Sequence, residues 1–251
     1  MLNKKVLISL FVILGCCAGT AICKDAPAYP PDILRALKAA EDNAPELEKA
    51  LNGVNGEERE GMEFLIVHMP ERDLLSLKAG FLIKNVKFAY QARRKTPWGS
   101  SIPKDIFLNN VLPYVSVNER RDDWRPDFYE RFMGRAVEKG SIEKAALGLN
   151  KYVFESLGVS YHAEKRPKPD QSPYESMEAK YASCTGLSIL LVDALRSVGI
   201  PARLVGVMLW RETGGNHTWV EVWDGTWHYL GAAESEAYDS AWFTEKASTA
   251  D

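Results

Sequence analysis

The chain has 251 residues, 46% of them hydrophobic and 26% charged, ordinary globular proportions that exclude disorder, collagen-like repeats and a nucleic-acid-binding tail. Lys and Arg number 31 against 34 Asp and Glu, for a net charge of −3, so neither sign dominates the field around the protein. The length suffices for one large domain or two small ones with a real core.

In chain order, residues 1–23 read as an export signal. Lys4 and Lys5 form a positive start, Val6 to Leu14 an apolar run, and Gly15, Ala18, Gly19 and Ala21 offer small residues for cleavage. The apolar run is short for a membrane span. Its removal takes away two lysines and no acids, and leaves a net charge of −5. Ile13-Leu14-Gly15-Cys16 resembles a bacterial lipoprotein box, which would make Cys16 a lipid-bearing N-terminus. Plain secretion is the other reading, with the cysteines acting as small apolar residues. Either way the protein is expected in the periplasm, at the cell surface or on the outer membrane, touching a membrane only through an N-terminal lipid.

Cys16, Cys17 and Cys23 all lie in this signal, so Cys184 is the one cysteine of the body. An exported protein with a single body cysteine has no disulfide framework. Cys184 therefore has two readings, inert core filler or nucleophile.

From Pro30 to about Leu157 the pattern is helical. Ile33, Leu34, Leu37, Ala40, Ala44, Leu47 and Leu51 recur at helical spacing and predict one helix that ends at Asn52-Gly53. A second helix is expected near Glu57–His68, and a third from about Asp73 to Arg94. A turn follows at Thr96-Pro97-Trp98-Gly99, then a short helix opened by Pro103 and closed at Leu112-Pro113. The run Glu119 to Arg125 mixes signs and reads as a solvated connector. Helices are expected at about Arg125–Glu138 and Ser141–Leu157, the latter capped by Ser141.

Glu164 to Tyr174, with three prolines, reads as a loop. Thr185 to Val198 is an apolar helix stopped by Gly199 and Pro201. Ala202–Trp210, His217–Trp223 and Thr226–Leu230 are strands, the last two joined by an Asp224-Gly225 hairpin turn. The division expected is a signal at 1–23, a helical region at 24–140 and an α+β domain at 141–251. The sheet is small and the last residues resemble a linker, so the chain is also readable as the front of a longer protein.

Ser183-Cys184-Thr185-Gly186 places Cys184 at the start of the apolar helix, where unpaired N–H groups and the positive dipole end favour a thiolate and an oxyanion. A base is still needed. His217 opens a strand on which His217, Trp219, Glu221 and Trp223 share one face, while Thr218, Val220 and Val222 share the other. The valine face is expected to be core, and the histidine face to look toward a cleft or the cysteine-bearing helix. Trp219 and Trp223 are then candidate cleft walls, and Glu221 a salt-bridge partner of Arg203. His228 reads as a surface or packed residue and His68 as a helix-end cap. His162 lacks partners at zinc spacing. Gly214-Gly215 lacks the context of a phosphate loop, and nothing basic and aromatic suggests nucleic acid.

Four motifs in order, Cys184-Thr185-Gly186, Leu195 through Gly206, His217 through Trp223 and Gly225-Thr226-Trp227, resemble the transglutaminase-like superfamily over about Ser141 to Glu234. The resemblance implies a papain-like arrangement in which a Cys-bearing helix packs on a small antiparallel sheet. Cys184 is then the nucleophile and His217 the general base, with no cofactor and no metal. The family's usual Asp, four residues after the tryptophan that aligns with Trp227, is Gly231 here. Glu234, Asn216 or a main-chain carbonyl is left to orient His217. The function implied is an exported cysteine hydrolase that cleaves peptide or amide bonds through a Cys184 thioester, acting on a peptide, protein or glycopeptide. Loss of the Asp equally suits a weakened or inactive module that binds peptide or glycan. A protein cross-linking transglutaminase is the further alternative.

Overall fold

The computed structural model describes residues 29–211 and 213–249. The segment read as an export signal, with the expected lipid site Cys16, and the extreme C-terminus lie outside them. Among the described residues no helix is long and apolar enough to cross a membrane.

The N-terminal region is helical throughout, though not divided as the periodicity predicts. The expected first helix is two, α1 (Pro31–Ala39) and α2 (Ala44–Asn52), separated by the tight turn Glu41–Asn43. Pro45 causes the break. Mid-helix it would delete the hydrogen bond to Glu41 and clash with that carbonyl, whereas at the second position of α2 its missing N–H costs nothing. The apolar stripe survives the break: Ile33, Leu37, Ala40, Leu47 and Leu51 are buried, while Leu34 turns out to solvent.

Helix α3 (Glu57–His68) has the expected bounds. The expected third helix is again two, α4 (Glu71–Leu74) and α5 (Ala79–Lys95). The side chain of Asn43, buried beneath them, donates to the carbonyls of Leu74 and Leu77 at 2.8 and 2.9 Å. Those carbonyls would serve residues 78 and 81 in an unbroken helix. At the following turn a Cβ on Gly99 would fall 1.7 Å from the Arg93 carbonyl oxygen, so only glycine fits. Helix α6 (Lys104–Asn110) and α7 (Trp124–Val137) come next, α7 packing on α5.

The run Glu119 to Arg125 is solvated only in part, at Arg120. Glu119, Asp122 and Arg125 are all buried. Glu119 accepts from the N–H groups of Ser116 and Val117, and Asp122 from that of Tyr174. Arg125 donates to Asn85 and to the carbonyls of Val111, Leu112, Pro113 and Arg196. The mixed charges satisfy buried loop backbone, a use that composition does not reveal.

Helix α8 (Ile142–Leu157) starts at the Ser141 cap and stops at left-handed Gly158. Short strand β1 (Ser160–Tyr161), helix α9 (Pro173–Ala179) and strand β2 (Tyr181–Ala182) follow, with β1 and β2 parallel. Helix α9 lies at the end of the expected loop. Its signal is local, a reciprocal capping box between Ser172 and Glu175 with Pro173 at the first helical position. Strand β2 runs straight into α10 (Cys184–Ser197), in which every residue from Gly186 onward is buried. Strands β3 (Ala202–Val207), β4 (His217–Trp223) and β5 (Trp227–Leu230) form an antiparallel sheet, and α11 (Thr244–Ser248) follows. The register pairs Val207 with His217 and Trp223 with Trp227. The fold is α+β, with a Cys-bearing helix packed on a small antiparallel sheet behind a helical N-terminal region, as expected.

One hydrophobic cluster runs from Ile33 to Ala232, with α10 packed against α5, α7, α8, α9 and the sheet. Helix α10 contacts the threonine–valine face of β4. Thr185 and Thr218 hydroxyls meet at 3.0 Å, Ser188 donates to the Thr218 carbonyl, and Val220 and Val222 are fully buried. The His217 face is therefore the sheet's other side. A smaller cluster of Trp210, Trp219 and Phe243 covers it.

Candidate active site

Cys184 is the first residue of α10, half-buried and a free thiol. Ser183 shapes this start: its hydroxyl accepts from the Gly186 N–H at 3.1 Å and donates to the Pro169 carbonyl at 2.6 Å. The cap fixes the first turn and pins the loop before α9 against it. Gly186 lets the helix sit close to β2, since a Cβ there would meet the Ala182 Cβ at 3.0 Å. The cap takes the Gly186 N–H, and the N–H groups of Cys184 and Thr185, which have no intrahelical acceptor, remain available beside the thiol.

His217 is the first residue of β4 and only 7% exposed. Its ring lies among aromatics, with Phe243 and Trp242 centroids at 4.7 and 4.8 Å and Trp219 and Trp210 at 6.2 and 6.3 Å. Burial lowers its pKa below the ordinary 6.5, which favours the neutral imidazole a general base requires. Its Nε2 is buried and has no hydrogen-bond partner among the described residues.

Cys184 and His217 line one cavity of about 520 Å³ together with Glu234, Asn216, Trp242 and the loop around Arg166. Glu234 thus reaches the site, but its carboxylate accepts from the Trp242 indole N–H at 2.8 Å rather than from His217. Burial raises its pKa and the indole bond opposes that rise. A Cβ on Gly231 would lie 2.8 Å from the Glu234 carboxylate oxygen. The space where an Asp side chain would begin is therefore filled by Glu234. Glu234 meets His217 through Trp242, whose indole it holds and whose rings pack on the imidazole. Asn150 on α8, buried to 1% exposure, secures the turn: it donates to the carbonyls of Gly231 and Ser235 and accepts from the N–H of Ala233.

Trp219 and Trp223 share the His217 face but do not line the cavity. Trp219 is buried and stacked on Phe243 at 4.9 Å. Trp223 lies six residues along the strand, roughly 20 Å away, against the main core. The exposed aromatic walls are Tyr161 and Trp242. Both stand where the sequence has no periodic signal, and only the fold brings them to the cysteine.

The other histidines lie elsewhere. His68 bonds the Phe64 carbonyl through Nδ1 at its helix end, and His162 accepts from the N–H groups of Glu164 and Lys165. His228 is clamped between Asp239 at 2.6 Å and Asp224 at 3.2 Å, and stacks on Tyr238. Arg203 and Glu221 form the expected cross-strand ion pair. Among the described residues no group of three or more His, Cys, Asp or Glu is placed to hold a metal ion.

A thiol at a helix start and a neutral imidazole on an antiparallel strand, facing one cavity, are the working parts of a cysteine hydrolase or transferase. Residues 132–232 match the model of the transglutaminase-like superfamily, over the stretch that carries the four motifs. No curated protein sequence matches the chain. Among solved structures it is similar to a chain from Cytophaga hutchinsonii designated a candidate cysteine protease, at 16% identity and a TM-score of 0.40. That match covers 55% of this chain and 45% of the other, less than half its length.

Proposed function

We propose that the protein is a cysteine hydrolase that cleaves peptide or amide bonds through a thioester on Cys184. The observation that carries this reading is the shared cavity, with the thiol at an N-terminal helix turn and His217 neutral at its wall. His217 takes the thiol proton as sulfur attacks the carbonyl carbon, and the oxyanion forms beside the N–H groups that open α10. The imidazolium then protonates the departing amine, leaving the acyl group on sulfur. Water, deprotonated by His217, attacks the thioester, and the acid leaves as sulfur regains its proton. The family resemblance in an exported chain supports water over an amine as acceptor. Residues 1–23 would direct export and Cys16 would carry a lipid, with the catalytic part in 141–251. Cys16→Ser would then release full-length protein from membranes into the soluble fraction.

A second reading rests on the unpartnered His217 Nε2. Without an acid to orient the ring, the fold would serve as a peptide-binding or glycan-binding module. Alkylation of Cys184 by iodoacetamide, followed from pH 4 to 10 in the parent and in His217→Ala, separates the two. The hydrolase reading expects reaction that persists well below pH 8 and whose acid limb falls below 6.5, because burial lowers the His217 pKa. His217→Ala should abolish that limb. A thiol titration unchanged by His217→Ala would sink the hydrolase and leave the binding module.

A further inference from the structure

The cleft also carries information about what it receives, and this inference rests on the hydrolase reading. The loop between β1 and α9 holds three basic residues, and two have protein partners. Lys168 pairs with Glu175 at 2.9 Å, and Lys165 sits 5.2 Å over the Tyr181 ring. Arg166 has neither. It is half-buried, lines the same cavity as Cys184 and His217, and makes one bond, from Nη1 to the Ala163 carbonyl at 2.9 Å. Its remaining guanidinium donors have no acceptor among the described residues.

A guanidinium presents a planar fork of N–H donors that matches a carboxylate bidentately. The exposed rings of Tyr161 and Trp242 flank the same space, so a peptide entering it leaves bulk water and the ion pair is less screened. The cavity's other charged side chain, Glu234, is occupied by the Trp242 indole and makes no ion pair with Arg166. Opposite charges that face one cavity without meeting leave the cation free for a ligand.

We infer that Arg166 is a specificity-determining residue that receives a carboxylate of the substrate, so that the cleft selects acidic peptides. The carboxylate has two sources, an acidic side chain or a peptide C-terminus, and one assay distinguishes them. Cys184 is alkylated with iodoacetamide in the presence of acetyl-Ala-Gln-Ala-Ala-amide, the same peptide with Glu for Gln, or the Gln peptide with a free C-terminal carboxylate. The expected result is half-protection by one acidic peptide at a concentration about tenfold lower than by the neutral one, the energy of a charge-assisted bond at a half-exposed site. Protection by the Glu peptide assigns a side chain, and protection by the free carboxylate a terminus. Arg166→Gln should remove the advantage, and Arg166→Lys should keep part of it. The Arg166 side chain bonds only within its own loop, to Ala163, so both variants should melt with the parent. Equal protection by all three peptides, no protection by any, or an advantage that survives in Arg166→Gln overturns the inference while the hydrolase stands. A Cys184 whose labelling ignores His217 overturns the hydrolase and this inference together.

Discussion

Replacing Asn150 by alanine is expected to destabilise the fold by about 2 kcal/mol, although the residue lies on a helix distant in sequence from the site. Its amide makes three bonds to the 231–235 turn, at 3.0, 3.1 and 2.8 Å. Ala233 in that turn has a φ of 65°, a left-handed backbone that a non-glycine residue holds only under restraint. At about 1 kcal/mol net for each buried bond the loss would be near 3 kcal/mol. A cavity of about 260 Å³, lined by Asn150, Ala233 and Ser235, gives water access to the freed groups and reduces the loss. The melting temperature should drop by about 4–8 °C for a chain of this size. Urea unfolding provides the direct measure. Asn150→Asp should be worse near neutral pH, because it keeps the bond from Ala233 but sets a carboxylate oxygen against two carbonyls. Acidification should restore part of that loss, since the protonated acid again donates one bond. A change below about 0.5 kcal/mol for Asn150→Ala would refute the view that this amide holds the turn carrying Glu234.

Two further outcomes concern pH. Asp193 is fully buried in α10, and desolvation raises its pKa well above the ordinary carboxylate value. Its contribution is therefore retained at acid pH and lost as pH rises through the folded-state pKa. Asp193→Asn should gain stability relative to the parent with rising pH in chemical denaturation, and a pH-independent difference would contradict the burial argument. His228 has its pKa raised, chiefly by the hydrogen bond to Asp239 and against some desolvation, with Asp224 and Glu143 adding to the rise. Its contribution is full below about 6.5 and is lost as pH rises through the folded-state value. The stability gap between parent and His228→Asn should close over that range, and a gap that widens would refute the assignment. His217, shifted the opposite way, is present in both proteins and cancels in the comparison.

Much of this protein is legible in its sequence because much of it is locally encoded. Strand β4 alternates over seven residues, Asp224-Gly225 turns it, and α3 and α10 carry their own stop signals, so their bounds follow from short-range chemistry. Cys184 at a helix start and His217 at a strand start are legible for the same reason. Pro45 is equally local, yet it is masked by an apolar stripe that resumes in phase after the turn. Helix α9 is masked by prolines that the capping box overrides.

The rest depends on which surfaces meet, and no short stretch of chain encodes that. The break between α4 and α5 comes from Asn43, more than 30 residues away. Glu119, Asp122 and Arg125 are buried because loop backbone needs partners there. Alternation places Trp219 and Trp223 on the His217 face correctly, but it cannot tell that Phe243 covers one and the core takes the other. Trp242 and Arg166 reach the cleft from irregular segments, and Tyr161 from a two-residue strand, whose positions no periodicity specifies. Local sequence is enough to name the chemistry at hand, a thiol and an imidazole on elements of fixed type. The enclosure of those groups, the partner of Glu234 and the walls of the cleft arise from long-range packing, where burial and hydrogen-bond satisfaction are properties of the whole fold.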